Sequence, residues 1–255
     1  MVKIFCVANQ KGGVGKTTTT VNLAASLAAH KQRVLLVDLD PQGNATMGSG
    51  IDKTQCESTL YDVLVDGTAF AEVRVKSAAG YDVLPANREL AGAEIELVNR
   101  PQRERQLKNA IATVSAEYDF ILIDCPPALS LLTLNGLCCA NGVIIPMQCE
   151  YFALEGLSDL IDTIKRVHAN LNRELQIIGL LRVMFDSRIT LQQQVSDQLE
   201  QHFGDKVFNT IIPRNVRLAE APSHGMPGVV FDRNSRGARA YMQFGVEMIK
   251  RIRAK

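Results

Sequence analysis

Apolar positions along this chain fall into two patterns. Short, nearly continuous apolar runs occupy Val2–Ala8 (VKIFCVA), Arg33–Asp38 (RVLLVD), Asp119–Asp124 (DFILID) and Gly142–Met147 (GVIIPM). Tyr81–Pro85, Leu175–Val183 and Val207–Ile212 have the same character. Runs this short and this apolar read as strands covered on both faces. Between them lie longer stretches with helical spacing: Lys16–His30, Glu89–Val98, Gln102–Ala116, Leu154–Leu171, Leu191–Phe203 and Ala238–Arg253. In the first, Val21, Leu23, Ala24, Leu27 and Ala28 make an apolar stripe. Cys56–Gly80 carries only weak signals, a helical turn at Leu60–Leu64 and a short strand or loop at Glu72–Lys76. Buried strands alternating with helices predict an α/β fold, a doubly wound, mostly parallel sheet with helices on both faces. At 255 residues, without repeats or a linker, one domain is the economical expectation.

Functional groups in such a sheet collect at the C-terminal ends of its strands. Three polar stretches fall there: Lys11–Thr18, Asp38–Asp40 and Asp124–Pro127. The first reads KGGVGKTT. It misses the strict G-x-x-x-x-G-K-[ST] phosphate loop by one residue, because Gln10 stands where the first glycine belongs. Gly12, Gly13 and Gly15 nevertheless let backbone N–H groups around Val14 turn toward an anion, and the helix opening at Lys16 adds its positive end. Lys16 supplies a point charge for nucleotide phosphates, and the Thr17 hydroxyl is a Mg²⁺ ligand beside Thr18. Asp124 ends an apolar strand, the position of a carboxylate that holds Mg²⁺ through water. Asp38 suits a supporting place around the metal, and Asp40 suits orienting the attacking water. A glycine loop needs only one lysine, so Lys11, five residues ahead of Lys16, is unexplained by this chemistry alone.

Together these stretches resemble the deviant Walker A ATPases of the ParA/MinD/iron-protein superfamily: KGGVGKT as the loop, DLDPQGNAT as switch I and IDCPP as Walker B. IPMQCEYFALEGL, IIPRNVRLAEAPSHGMP and SRGARAY resemble the chromosomal ParA (Soj) branch, so the resemblance runs from residue 2 to about 250. It implies that Lys11 reaches across an ATP-dependent homodimer to the partner's nucleotide, and that Pro213 and Asn215 flank the adenine. It also implies slow ATP hydrolysis stimulated by a ParB-type centromere-binding partner, and non-specific binding of double-stranded DNA by the dimer.

Charge adds to this picture only through its distribution. The chain is nearly neutral at +1, but residues 206–255 hold ten Lys and Arg against three Asp and Glu. Arg188, Arg217, Arg236, Lys250, Arg251 and Arg253 are the candidate DNA contacts, Arg188 and Arg217 favoured by the resemblance. No aromatic residues interleave them, so base stacking is not suggested. No helix-turn-helix segment precedes the loop. MinD-like membrane attachment needs an amphipathic tail beyond the core, whereas the broad apolar stripe of the terminal helix suits packing on its own domain. No apolar run nears the ~20 residues of a membrane helix, and Met1-Val2-Lys3 leads straight into a strand, so a cytoplasmic protein associated with the nucleoid is expected. An iron–sulfur electron carrier would share a cluster through two cysteines per subunit. Cys6, Cys56, Cys125, Cys138, Cys139 and Cys149 form no CxxC pair, and the surroundings of Cys125 and of the helical Cys138–Cys139 differ from that branch. Reduced, mostly buried thiols are expected instead.

Overall fold

The computed structural model describes residues 2–151 and 153–253; Phe152, within IPMQCEYFALEGL, lies outside them. The chain opens with β1 (Lys3–Val7), α1 (Lys16–Ala29), β2 (Val34–Asp38) and α2 (Asn44–Gly48). It continues through α3 (Leu60–Val65), α4 (Phe70–Val73), β3 (Val75–Lys76), β4 (Asp82–Leu84), α5 (Leu90–Leu97) and α6 (Gln106–Ala112). β5 (Phe120–Asp124), α7 (Leu131–Cys139), β6 (Gly142–Met147), α8 (Ala153–Asn170), β7 (Gln176–Arg182) and α9 (Thr190–Phe203) follow. Two short helices, α10 (Val216–Glu220) and α11 (Gly228–Phe231), precede the long α12 (Arg236–Arg253).

The seven strands form one sheet in the order β3-β4-β2-β5-β1-β6-β7. All pairs are parallel except the edge pair β3–β4. The continuous apolar runs are explained by two covered faces. Leu35 and Val37 of β2, with Ile121 and Ile123 of β5, enter the core beneath α3, α5, α6, α7 and α8. Val34, Leu36, Phe120 and Leu122 point the other way, under α1 and α12. A strand alternates its side chains between faces, so two buried faces require apolar residues at every position.

α12 lies on α1. Tyr241, Phe244 and Met248 are buried, and the Tyr241 hydroxyl meets Thr19 Oγ1 at 3.0 Å. A Cβ at Gly245 would come within 2.9 Å of Ser26 Cβ, so glycine permits this close approach. The terminal stripe therefore packs on its own domain, as the pattern predicts. No helix among the described residues is long and apolar enough to cross a membrane.

Two expected elements differ. Val207–Ile212 is not a ladder strand; it meets β7 through an isolated bridge at Leu180–Val207 and through the N–H groups of Phe208 and Ile212, which donate to Leu180 O at 3.0 Å and Arg182 O at 2.9 Å, and a second isolated bridge, Phe185–Pro213, lies just beyond both segments. The buried Arg182 guanidinium occupies this margin instead, donating to Phe208 O at 2.9 Å and Ser196 Oγ at 2.7 Å. Gln102–Ala116 breaks into a 3₁₀ turn at Arg103–Arg105, α6, and a second turn at Ser115–Glu117. Asn135 of α7 holds the first break, accepting Leu107 N–H and donating to Arg103 O. All six cysteines are free thiols, five of them buried.

Candidate nucleotide site

β1 ends in the middle of the sheet, and the chain then turns through Asn9–Gly15 into α1. Gly13 and Gly15 sit in the left-handed region, with φ of 72° and 76°, where a side chain is strained. Gly15 is the N-cap residue of α1, and no side chain caps that end. The first N–H groups of a 14-residue helix therefore face the loop without intrahelical partners, an anion seat. Val14 turns its side chain into the core and contributes backbone only. Lys16 is 7% exposed, and its Nζ donates to Lys11 O at 3.0 Å. Burial lowers the Lys16 pKa, while Asp124, Cys125 and Asp40 oppose that shift. Gly12, Gly13, Gly15, Lys16, Thr17, Thr18, Asp40 and Asn44 line one cavity of about 310 Å³. The loop, its lysine and the candidate water-orienting carboxylate thus share a single space. Asp40 Oδ1 also accepts Gln42 N–H at 2.9 Å, which fixes the turn after β2.

Beneath the loop two carboxylates meet. β2 and β5 pair so that Asp38 stands opposite Asp124, and both are fully buried. Asp124 accepts Thr17 Oγ1 at 2.7 Å on one oxygen and Thr20 Oγ1 at 2.9 Å on the other. Asp38 accepts the backbone and hydroxyl of Thr46, at 2.8 and 2.7 Å. Burial, with repulsion from Asp38, raises the Asp124 pKa to about 8. Burial raises that of Asp38 to about 6 against its bonds to Thr46. Two buried carboxyls side by side, with a threonine hydroxyl between them and the phosphate cavity, fit a small hard cation such as Mg²⁺. Among the described residues no three His, Cys, Asp or Glu side chains group as a metal site on their own. Mg²⁺ is held in this manner, by one or two carboxylates plus phosphate oxygens and water. Thr20 and Thr46 were not read from the sequence. Thr20 hides in a run of four threonines, and only the i, i+3 spacing from Thr17 hints that both face one strand tip.

A pH dependence follows. Both carboxyls titrate above their ordinary value near 3.8. The folded, metal-free protein therefore binds more protons than the unfolded chain, and stability falls as pH rises through about 6 and about 8. In chelator, the thermal midpoint of the parent protein should rise from pH 8.5 to pH 6.5 relative to Asp124→Asn, whose profile should be flatter. Identical slopes in melts of the two proteins would contradict the buried-pair reading.

The family model of an AAA domain matches residues 2–177. The sporulation initiation inhibitor protein Soj of Bacillus subtilis (strain 168) is 52% identical over 249 residues, 97% of this chain and 98% of that protein. The chromosome partitioning protein ParA of Myxococcus xanthus is 50% identical over 250 residues, 98% of this chain and 88% of that one. The chain belongs to the Soj/ParA family. Among solved structures, cobyrinic acid a,c-diamide synthase from Mycobacterium smegmatis with bound ATP analogue and magnesium is 37% identical. It superposes with a TM-score of 0.88 over 99% of this chain and 96% of that one.

The remaining residues implied by the Soj/ParA resemblance fall in three places. Pro213 and Asn215 line a pocket of about 160 Å³ with Gly15, Thr18, Met184 and Tyr241, directly beside the loop. Asn215 is also the N-cap of α10, its Oδ1 accepting Leu218 N–H at 3.3 Å. Lys11 stands half-exposed at the rim, its Nζ 2.6 Å from Glu150 Oε2.

The basic candidates separate. Arg188 is 87% exposed but paired with Asp186 of the same cleft, at 2.9 and 2.6 Å, and Arg236 and Lys250 are exposed on α12. Arg217 is exposed but bound to Glu220 at 2.9 Å and Asp232 at 3.5 Å. Arg251, expected to face DNA, instead turns inward and is 17% exposed. Its guanidinium donates to the carbonyls of Ile178, Asp205 and Val207 and lies 4.3 Å from the centroid of Phe208. Two arginines absent from the sequence-based selection, Arg214 and Arg239, join Arg188 and Arg236 around a cleft of about 660 Å³.

Proposed function

We propose that this chain is a Mg²⁺-dependent ATPase of DNA partitioning, a single P-loop domain that dimerises on ATP, binds double-stranded DNA without sequence preference, and lets go after hydrolysis. The observation that carries the DNA step is the cleft bearing Arg188, Arg214, Arg236 and Arg239, which shares Pro213 and Arg214 with the candidate base pocket. A basic surface built on the same segment as the nucleotide pocket can respond to what that pocket holds. Guanidinium groups on one cleft suit a phosphate backbone, which binds through charge and carries no sequence information.

The chain's own residues divide the work. The N–H groups of Gly12–Gly15 and the Lys16 ammonium hold the phosphates, Thr17 with Asp38 and Asp124 holds Mg²⁺, and Asp40 orients water. Bound Mg²⁺ neutralises phosphate charge. Lys11 reaches the nucleotide of a second subunit, so ATP occupancy and dimerisation are one event. No arginine stands in the loop itself, in keeping with slow turnover that a ParB-type partner accelerates. The relatives named for chromosome partitioning, at 47–50% identity, favour this activity over that of the synthase at 37%. Cytoplasmic residence on the nucleoid follows from the same reading.

The test is binding to a random-sequence duplex with ATP, ADP or no nucleotide, at two salt concentrations, with Asp40→Ala as the slow-hydrolysis variant. ATP-dependent, salt-sensitive binding that Asp40→Ala prolongs is expected. ATP-dependent dimers that ignore DNA in every state would reject the DNA step. Binding of such dimers to anionic liposomes would then favour a MinD-like positioning ATPase.

A further inference from the structure

The Lys11–Glu150 ion pair joins positions 139 residues apart, and the rest of its surroundings define what it can do. The backbone of Lys11 is fixed from both sides: its N–H donates to Asn9 Oδ1 at 3.0 Å, and its carbonyl accepts Lys16 Nζ at 3.0 Å. Asn9 in turn donates to Pro146 O at 2.9 Å, at the end of β6. The segment after β6 also reaches the loop through Gln148, whose amide donates to Gly13 O at 3.3 Å. Only the Lys11 side chain remains to be placed, and Glu150 holds its end at 2.6 Å. The two side chains are 49% and 46% exposed. Water screens such a pair, so it is weak and reversible.

We propose that Glu150 is a positioning residue that holds Lys11 on its own subunit until nucleotide is bound, and so sets the ATP concentration at which the subunits pair. This rests on the reading above, in which Lys11 acts on the nucleotide of a second subunit. One ammonium cannot serve Glu150 and a phosphate on another chain at once. Pairing therefore breaks the internal bond in each subunit and leaves a carboxylate beside an anionic site. Both effects oppose the dimer. An exposed ion pair is worth up to about fivefold in an equilibrium constant. Two are broken per dimer, so the opposition reaches up to about twenty-five-fold in the dimer dissociation constant. Glu150 thus acts as a threshold rather than a block, because a buried pair in its place would cost far more to open.

The experiment is sedimentation of the full chain with Mg²⁺ and a non-hydrolysable ATP analogue, comparing the parent with Glu150→Gln, Glu150→Asp and Lys11→Ala. Glu150→Gln should tighten the dimer roughly three- to twenty-five-fold. Glu150→Asp, which keeps the charge but shortens its reach, should fall between parent and Gln. In the nucleotide-free proteins, Glu150→Gln should also speed acylation of Lys11 by an amine reagent, which a role confined to folding would not do. Lys11→Ala should abolish the dimer. Loss of the dimer in Lys11→Ala, with Glu150→Gln equal to or weaker than parent, overturns the role of Glu150 alone. A normal dimer in Lys11→Ala refutes the two-subunit reading and this proposal with it.

Discussion

Lys16→Ala should lower ATP hydrolysis by at least about a hundredfold, the usual loss when one preorganised charge or donor at a developing anion is removed. Among the described residues Lys16 is the one ammonium lining the phosphate cavity, and it is nearly buried. In that low-dielectric setting a positive charge acts on phosphate oxygens far more strongly than it would in water. Among the described residues its side chain bonds only to Lys11 O, so its removal should leave the fold intact and shift the thermal midpoint little. Residual nucleotide binding is expected, because the N–H groups of the loop and of α1 remain. Calorimetric titration with ATP and phosphate-release assays separate these effects. Parental turnover in Lys16→Ala would move the chemistry away from this loop.

How far the sequence led depends on what each signal encodes. β2 and β5 were legible because every position before the closing aspartate is apolar, which a strand buried on both faces demands. The turn after β1 was legible because glycines mark it, and Gly13 and Gly15 do take positive φ. The facing of Asp38 and Asp124 was half legible. Both stand at strand ends in the sequence, but their opposition comes from the β2–β5 register, which no local pattern carries. Val207–Ile212 misled because an apolar run records burial, whereas a strand also needs a partner ladder, and Arg182 fills much of that edge. α7 is buried almost all round and has no polar face to betray its period, although the adjacent Cys138 and Cys139 were placed on a helix. Glu150 lies in IPMQCEYFALEGL, a stretch that the resemblance marks as a segment, but its pairing with Lys11 is tertiary and no local pattern carries it.

Arg251 shows the same limit with an energetic consequence. Counted by charge alone it belongs with the basic residues of α12, but its long side chain turns inward and its exposure falls to 17%. A buried arginine is retained when its donors are satisfied. Here carbonyls from β7, the Gly204–Lys206 turn and Val207 accept them, with Glu247 at 3.4 Å and the Phe208 ring beneath. The guanidinium stitches together the margin that lacks a regular strand. Arg251→Ala deletes these bonds, leaves the partly buried carbonyls of Ile178 and Val207 without this donor and opens a void over Phe208, so a loss of roughly 2–4 kcal/mol is expected. For a chain of this size that lowers the thermal midpoint by roughly 5–15 °C. Arg188→Ala loses only an exposed pair with Asp186, so it should leave stability within about 1 kcal/mol. The DNA readout should run in the opposite order: removing Arg188 should reduce the slope of log affinity against log salt by about 0.9, while folded Arg251→Ala should keep the parental slope. Thermal melts of the two variants, paired with duplex titrations at four salt concentrations, check both halves. A parental midpoint with a reduced salt slope in Arg251→Ala would return this residue to the DNA surface.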